Sequence, residues 1–114
     1  MLVVDDEDVP RNVVTKYLTA GGHRVTTATS GREAMEKFHG KQFDLVLTDQ
    51  GMPGMSGYEL ARALKQIRNN QPIILLTGFS GPPGPEPNSS EVDLIIHKPI
   101  SYSELTRAIT SVVK

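Results

Sequence analysis

Five side chains with charged or reactive ends stand directly behind short apolar runs. Asp5 and Asp6 follow Leu2-Val3-Val4, and Asp49 follows Leu45-Val46-Leu47-Thr48. Thr77 follows Ile73-Ile74-Leu75-Leu76, and Lys98 follows Leu94-Ile95-Ile96-His97. Three carboxylates brought together would repel one another and drive at least one toward its protonated form, so such a cluster needs cations to stay ionised. Lys98 offers one positive charge and a divalent metal two. A ligand set made only of oxygen favours a hard ion, Mg2+ or its substitute Mn2+, above all where a phosphoryl group is also present. A metal, an ammonium and the Thr77 hydroxyl around a single carboxylate suit phosphoryl transfer, which depends on positioning and on neutralising charge at the transferred oxygens. Asp49 is then the nucleophile.

Taken one at a time, each residue has a plainer explanation. Asp49 can open a turn, Asp5-Asp6 can cap a helix, Thr77 can end a strand and Lys98 can be a solvated side chain. The case for chemistry rests on their shared placement, and that placement depends on the elements that carry them. A Leu/Val run without alternation reads as a strand covered on both faces, as in a parallel sheet flanked by helices. In an open parallel sheet the carboxyl ends of the strands line one edge, where ligands bind.

The rest of the chain supplies the helices. Val9, Val13, Val14, Tyr17 and Leu18 share one helical face, with Pro10 where a first-turn proline is tolerated and Gly21-Gly22 as the stop. Arg24 to Ala28 reads as the second strand. Ser30-Gly31-Arg32-Glu33, Ser56-Gly57-Tyr58-Glu59 and Ser101-Tyr102-Ser103-Glu104 each have capping-box spacing ahead of an apolar helical face. Those faces are Ala34, Met35 and Phe38, then Leu60, Ala61, Leu64 and Ile67, and last Leu105, Ala108, Ile109, Val112 and Val113. Strand and helix therefore alternate, which predicts a single α/β domain over residues 1–114 with one parallel sheet and helices on both faces. Gly78 to Pro87 breaks the pattern, since its three glycines and four prolines cannot form a regular crossover helix. A short helical turn over Asn88 to Asp93 is the most that fits there.

With 114 residues, 38% of them hydrophobic, the chain suffices for one core. Lys and Arg number 12 against 13 Asp and Glu, spread along the chain, which leaves no basic stripe for a phosphate backbone and argues against nucleic-acid binding. The absence of cysteine removes disulfides, thiolate nucleophiles and cysteine zinc sites. No run approaches the roughly 20 apolar residues of a membrane span, so no membrane contact is expected and a cytoplasmic location is the default. His23, His39 and His97 are not at metal-ligand spacing.

Leu2-Val3-Val4-Asp5-Asp6-Glu7, Leu47-Thr48-Asp49 with Met52-Pro53-Gly54-Met55-Ser56-Gly57, Ile74-Leu75-Leu76-Thr77-Gly78 and His97-Lys98-Pro99 together resemble the four signature blocks of the receiver domain of two-component response regulators. The resemblance extends over essentially the whole chain. It implies a flavodoxin-like, doubly wound five-stranded sheet in the order 2-1-3-4-5, and a phosphorylation switch fed by the phosphohistidine of a histidine kinase or histidine phosphotransfer domain. By the same resemblance Asp49 is the phosphoacceptor, Asp6 a direct metal ligand, Asp5 a ligand mainly through water and Gly51 a ligand through its backbone carbonyl. Thr77 and Lys98 hold the phosphoryl oxygens, and Lys98-Pro99 is a cis peptide.

Several positions depart from that pattern. Gly51 has no side chain to shield a phosphoryl group, and Phe79 is bulky and apolar, so the lifetime of the phosphorylated form is open. Ile95 stands where many members carry an inward-turning aromatic ring, and the Gly/Pro stretch replaces most of the fourth helix. Two rival functions follow: a pseudo-receiver that docks without being phosphorylated, and a phosphatase of the haloacid-dehalogenase type built on Asp6-Glu7-Asp8. The latter motif normally continues with Thr or Val where this chain has Pro10. The short first run and the lack of an effector segment after Lys114 leave two expectations, a free-standing regulator or a module of a larger chain such as a hybrid histidine kinase.

Overall fold

A computed structural model describes residues 1–78 and 92–113. The elements run β1 (Leu2–Val4), α1 (Asp8–Ala20), β2 (Thr26–Ala28), α2 (Gly31–His39), β3 (Val46–Asp49), α3 (Gly57–Ile67), β4 (Ile73–Thr77), β5 (Leu94–His97) and α4 (Tyr102–Val112). The five strands form one sheet in the order β2-β1-β3-β4-β5, every pairing parallel, as the flavodoxin-like expectation requires. Most of the expected irregular stretch Gly78 to Pro87, and most of the turn at Asn88 to Asp93, lies outside the described residues.

Alternation along the strands builds two cores. Leu2, Val4, Val46, Ile73 and Leu75 turn to one face, where Ala34 and Phe38 of α2 and Leu60, Ala61 and Leu64 of α3 cover them. Val3, Leu47, Ile74 and Leu76 turn to the other, against Val14 and Leu18 of α1 and Leu105 and Ala108 of α4. Over β1, β3 and β4 both faces are closed, which explains why these strands lack a polar side, whereas at the edge Ile95 of β5 is 41% exposed.

Three helices start as their Ser-x-x-Glu spacing predicts. Ser30, Ser56 and Ser101 accept from the backbone N–H groups of Glu33, Glu59 and Glu104 at 3.1, 3.2 and 3.1 Å. Only α3 closes the reciprocal box, with Glu59 accepting from the Ser56 amide; at α2 the Glu33 carboxylate reaches one residue further back, to the Thr29 amide at 2.7 Å. Helix α1 has no side-chain cap, and its N-cap is Glu7.

The inward face of α1 is narrower than periodicity suggests. Val14 and Leu18 are buried, whereas Val9 is 73% and Val13 36% exposed. Periodicity identifies a helical face but not how much of it is covered: only Val14 and Leu18 enter the core, with Tyr17 packed against it. Ile67, the last residue of α3, is likewise 45% exposed, and the second strand begins at Thr26 instead of Arg24.

Candidate functional site

The parallel register sets the site. Val4 pairs with Thr48, Asp49 with Leu76 and Thr77 with His97, so Asp5, Asp49, Thr77 and Lys98 all fall at the carboxyl edge of the sheet. Asp5 and Asp49 are buried and Asp6 is exposed, and carboxylate oxygens of the three lie within 4.8 Å of one another. Lys98 hydrogen-bonds through its backbone N–H to the Thr77 carbonyl at 2.8 Å. Its side chain then crosses the end of β4 and places Nζ 2.8 Å from Asp49 Oδ1 and 3.1 Å from Asp5 Oδ2. The Lys98-Pro99 peptide is cis, as the resemblance implies.

Burial alone would lower the Lys98 pKa, but hydrogen bonds to Asp49 and Asp5, together with their charges, outweigh it and hold the ammonium above its ordinary value. Lys98 is therefore fully charged at neutral pH. Against its single charge stand three carboxylates, an excess of two negative charges at an all-oxygen site. That imbalance and donor set fit a hard divalent cation.

Asp5 is fully engaged. Its Oδ1 accepts from the Glu7 amide at 2.9 Å while Oδ2 takes Lys98. Asp6, on the same turn, is exposed while its carboxylate stays within reach of the other two. Gly51 lies two residues beyond Asp49 in the exposed loop between β3 and α3, and a Cβ placed there would meet nothing within 4 Å. Thr77 closes β4 in a half-buried position.

Sequence reasoning passed over three residues. Gln50 fastens the loop that follows Asp49: its carbonyl accepts from Met52 and Gly57, and its side-chain Oε1 accepts from the Tyr58 amide at 3.0 Å. Gly57 lets the start of α3 touch the end of β3. Arg11 donates to the Asp5 carbonyl at 2.9 Å and binds the Asp8 carboxylate. Arg11 left a trace in the sequence, its spacing of three from Asp8 on a helix, and Gly57 closes the block that begins at Met52.

The family model of the response regulator receiver domain matches residues 1–110. The chain belongs to this family. The receiver domain is 31% identical over 109 residues to the autoinducer 1 sensor kinase/phosphatase LuxN of Vibrio campbellii, a match covering 96% of this chain and 13% of LuxN. It is also 31% identical over 110 residues to the response regulator receiver protein CpdR of Brucella abortus, covering 96% and 92% of the two chains. Among solved structures, the response regulator TrrA of Thermotoga maritima, crystallised in complex with Mg2+-BeF, superposes with a TM-score of 0.87 at 34% identity, over 96% of this receiver domain and 95% of TrrA. Membership places the domain in two-component phosphorelay signalling, in which receiver domains work with histidine kinases or phosphotransfer domains. No helix among the described residues is long and apolar enough to cross a membrane.

Proposed function

We propose that this receiver domain takes a phosphoryl group onto Asp49 from the phosphohistidine of a histidine kinase or histidine phosphotransfer domain, with residues 1–114 acting as one cytoplasmic signalling unit. The observation that carries the proposal is the contact of Lys98 Nζ with Asp49 inside a carboxylate cluster short of two positive charges.

Asp5, Asp6, Asp49 and the Gly51 carbonyl would hold Mg2+, which when bound neutralises charge on the phosphoryl oxygens. The occupied site of TrrA supports that choice of ion. An Asp49 carboxylate oxygen attacks phosphorus, the phosphorus–nitrogen bond breaks, and the imidazole nitrogen leaves with its electron pair and takes a proton from water. An acyl phosphate remains on Asp49. Lys98 keeps its charge throughout and exchanges its carboxylate partner for a phosphoryl oxygen, while the Thr77 hydroxyl donates to another.

Neither rival function has comparable support. Asp8, the second acid of the phosphatase motif, sits in the first turn of α1 with its carboxylate bound to Arg11. A pseudo-receiver would be expected to lack one of the acids or the lysine, and here they are assembled.

Incubation with a phosphorylated histidine kinase domain and Mg2+ should move the label to this domain. Thr77→Ala and Lys98→Ala should fold, and should lose the chemical-shift changes that phosphorylation spreads beyond the site. Wild-type shift changes in either variant would remove that residue from the switch.

A further inference from the structure

The turn after β1 carries four consecutive acids, Asp5 to Asp8, yet only Asp5 and Asp6 gather with Asp49. Arg11 contacts the first and the last of the four. Its side chain is only 13% exposed and its guanidinium reaches in two directions, through Nη1 to the Asp5 carbonyl at 2.9 Å and through Nη2 to the Asp8 carboxylate. The first contact holds the backbone at the point where the chain leaves β1, and the second pairs with Asp8, whose side chain is 82% exposed. Together with the Glu7 amide on Asp5 Oδ1, the fork ties the turn at its beginning, middle and end.

We propose that Arg11 is a positioning residue for the cation site, holding the Asp5 backbone and withdrawing Asp8 so that only Asp5 and Asp6 turn toward Asp49. The inference rests on the proposed Mg2+ site and concerns how that site is shaped. Arg11 also has a purely electrostatic effect of opposite sign, because a guanidinium beside the cluster repels an incoming cation. Two accounts therefore make opposite forecasts. If Arg11 matters as a brace, its loss weakens Mg2+ binding; if only its charge matters, its loss strengthens binding. A planar fork joined to two acceptors is not reproduced by lysine, which keeps the charge and loses the geometry.

The test is a Mg2+ titration of the 15N-labelled protein without any phosphodonor, for wild type, Arg11→Lys and Arg11→Gln, well below each thermal midpoint. Both variants should bind Mg2+ about tenfold more weakly, the size expected when a residue supporting metal ligands is removed. Without Mg2+, both should also show faster exchange of the Glu7 amide. An unchanged affinity in Arg11→Lys, or tighter binding in Arg11→Gln, would overturn the proposal. Should Arg11→Gln not fold, the result for Arg11→Lys decides alone. A wild-type protein that binds no Mg2+ would refute the cation site itself, whereas wild-type binding with unchanged variants refutes only the role of Arg11.

Discussion

A Cβ on Gly57 would stand 2.4 Å from the carbonyl oxygen of Asp49, closer than real side chains come. The first residue of α3 thus lies against the last residue of β3, and the Gly57 amide is bonded to the Gln50 carbonyl at 3.1 Å. This contact folds the intervening loop back on itself at the end of β3. Gly57→Ala has to push backbone against backbone, with the Leu75 side chain also in the way at 2.6 Å. We expect it to destabilise the domain by about 3 kcal/mol, the upper end for overpacking. Gly51→Ala is the control in the same loop: its Cβ meets nothing within 4 Å, and stability should change by less than about 1 kcal/mol. Urea unfolding of the two variants checks the contrast, and equal losses would contradict it.

Lys98 makes stability depend on pH at the alkaline end. Its folded-state pKa is raised above the ordinary 10.5, so its stabilising effect is complete below 10.5 and is lost as pH climbs through the higher folded value. Lys98→Met, which leaves Asp5 and Asp49 buried without their partner, should cost about 3 kcal/mol at neutral pH. The gap between wild type and variant should stay flat to about pH 10 and narrow above it. A gap that widens with alkalinity would mean that the sign of the shift is wrong.

The two acids after β1 should not be equivalent toward Mg2+. Asp5 already spends one oxygen on the Glu7 amide and the other on Lys98, whereas Asp6 is open to solvent. A hard ion that keeps several waters gains most from the carboxylate that reaches it directly. Asp6→Ala should therefore weaken binding toward the upper end, and Asp5→Ala toward the lower end, of about 10–100-fold. Calorimetric titration without phosphodonor measures both, and equal losses would show the division between direct and water-mediated ligand to be mistaken.

Much of this architecture could be read before any coordinates. Apolar runs without alternation fixed the strands, and their acid, hydroxyl and ammonium endings became neighbours because a parallel sheet puts like ends together. Ser30, Ser56 and Ser101 marked three helix starts because capping is local chemistry with a fixed spacing. What escaped was non-local. The exposure of Val9 and Val13 depends on what packs beneath α1, and the need for glycine at 57 depends on how close α3 comes to β3. Gln50, and Arg11 in its contact with Asp5, act through backbone carbonyls and amides, groups that every residue has and no sequence motif distinguishes.

The central claim is that Asp49 is the one residue to be phosphorylated: it ends β3 within the three-acid cluster with Lys98 Nζ 2.8 Å from its Oδ1, whereas Asp5 holds the Glu7 amide as well as Lys98. Intact-mass measurement after incubation with Mg2+ and acetyl phosphate tests it most directly. Wild type should gain one phosphoryl group that hydroxylamine removes, as expected of an acyl phosphate, and Asp49→Asn should gain none. A hydroxylamine-labile phosphoryl group on Asp49→Asn would contradict the account.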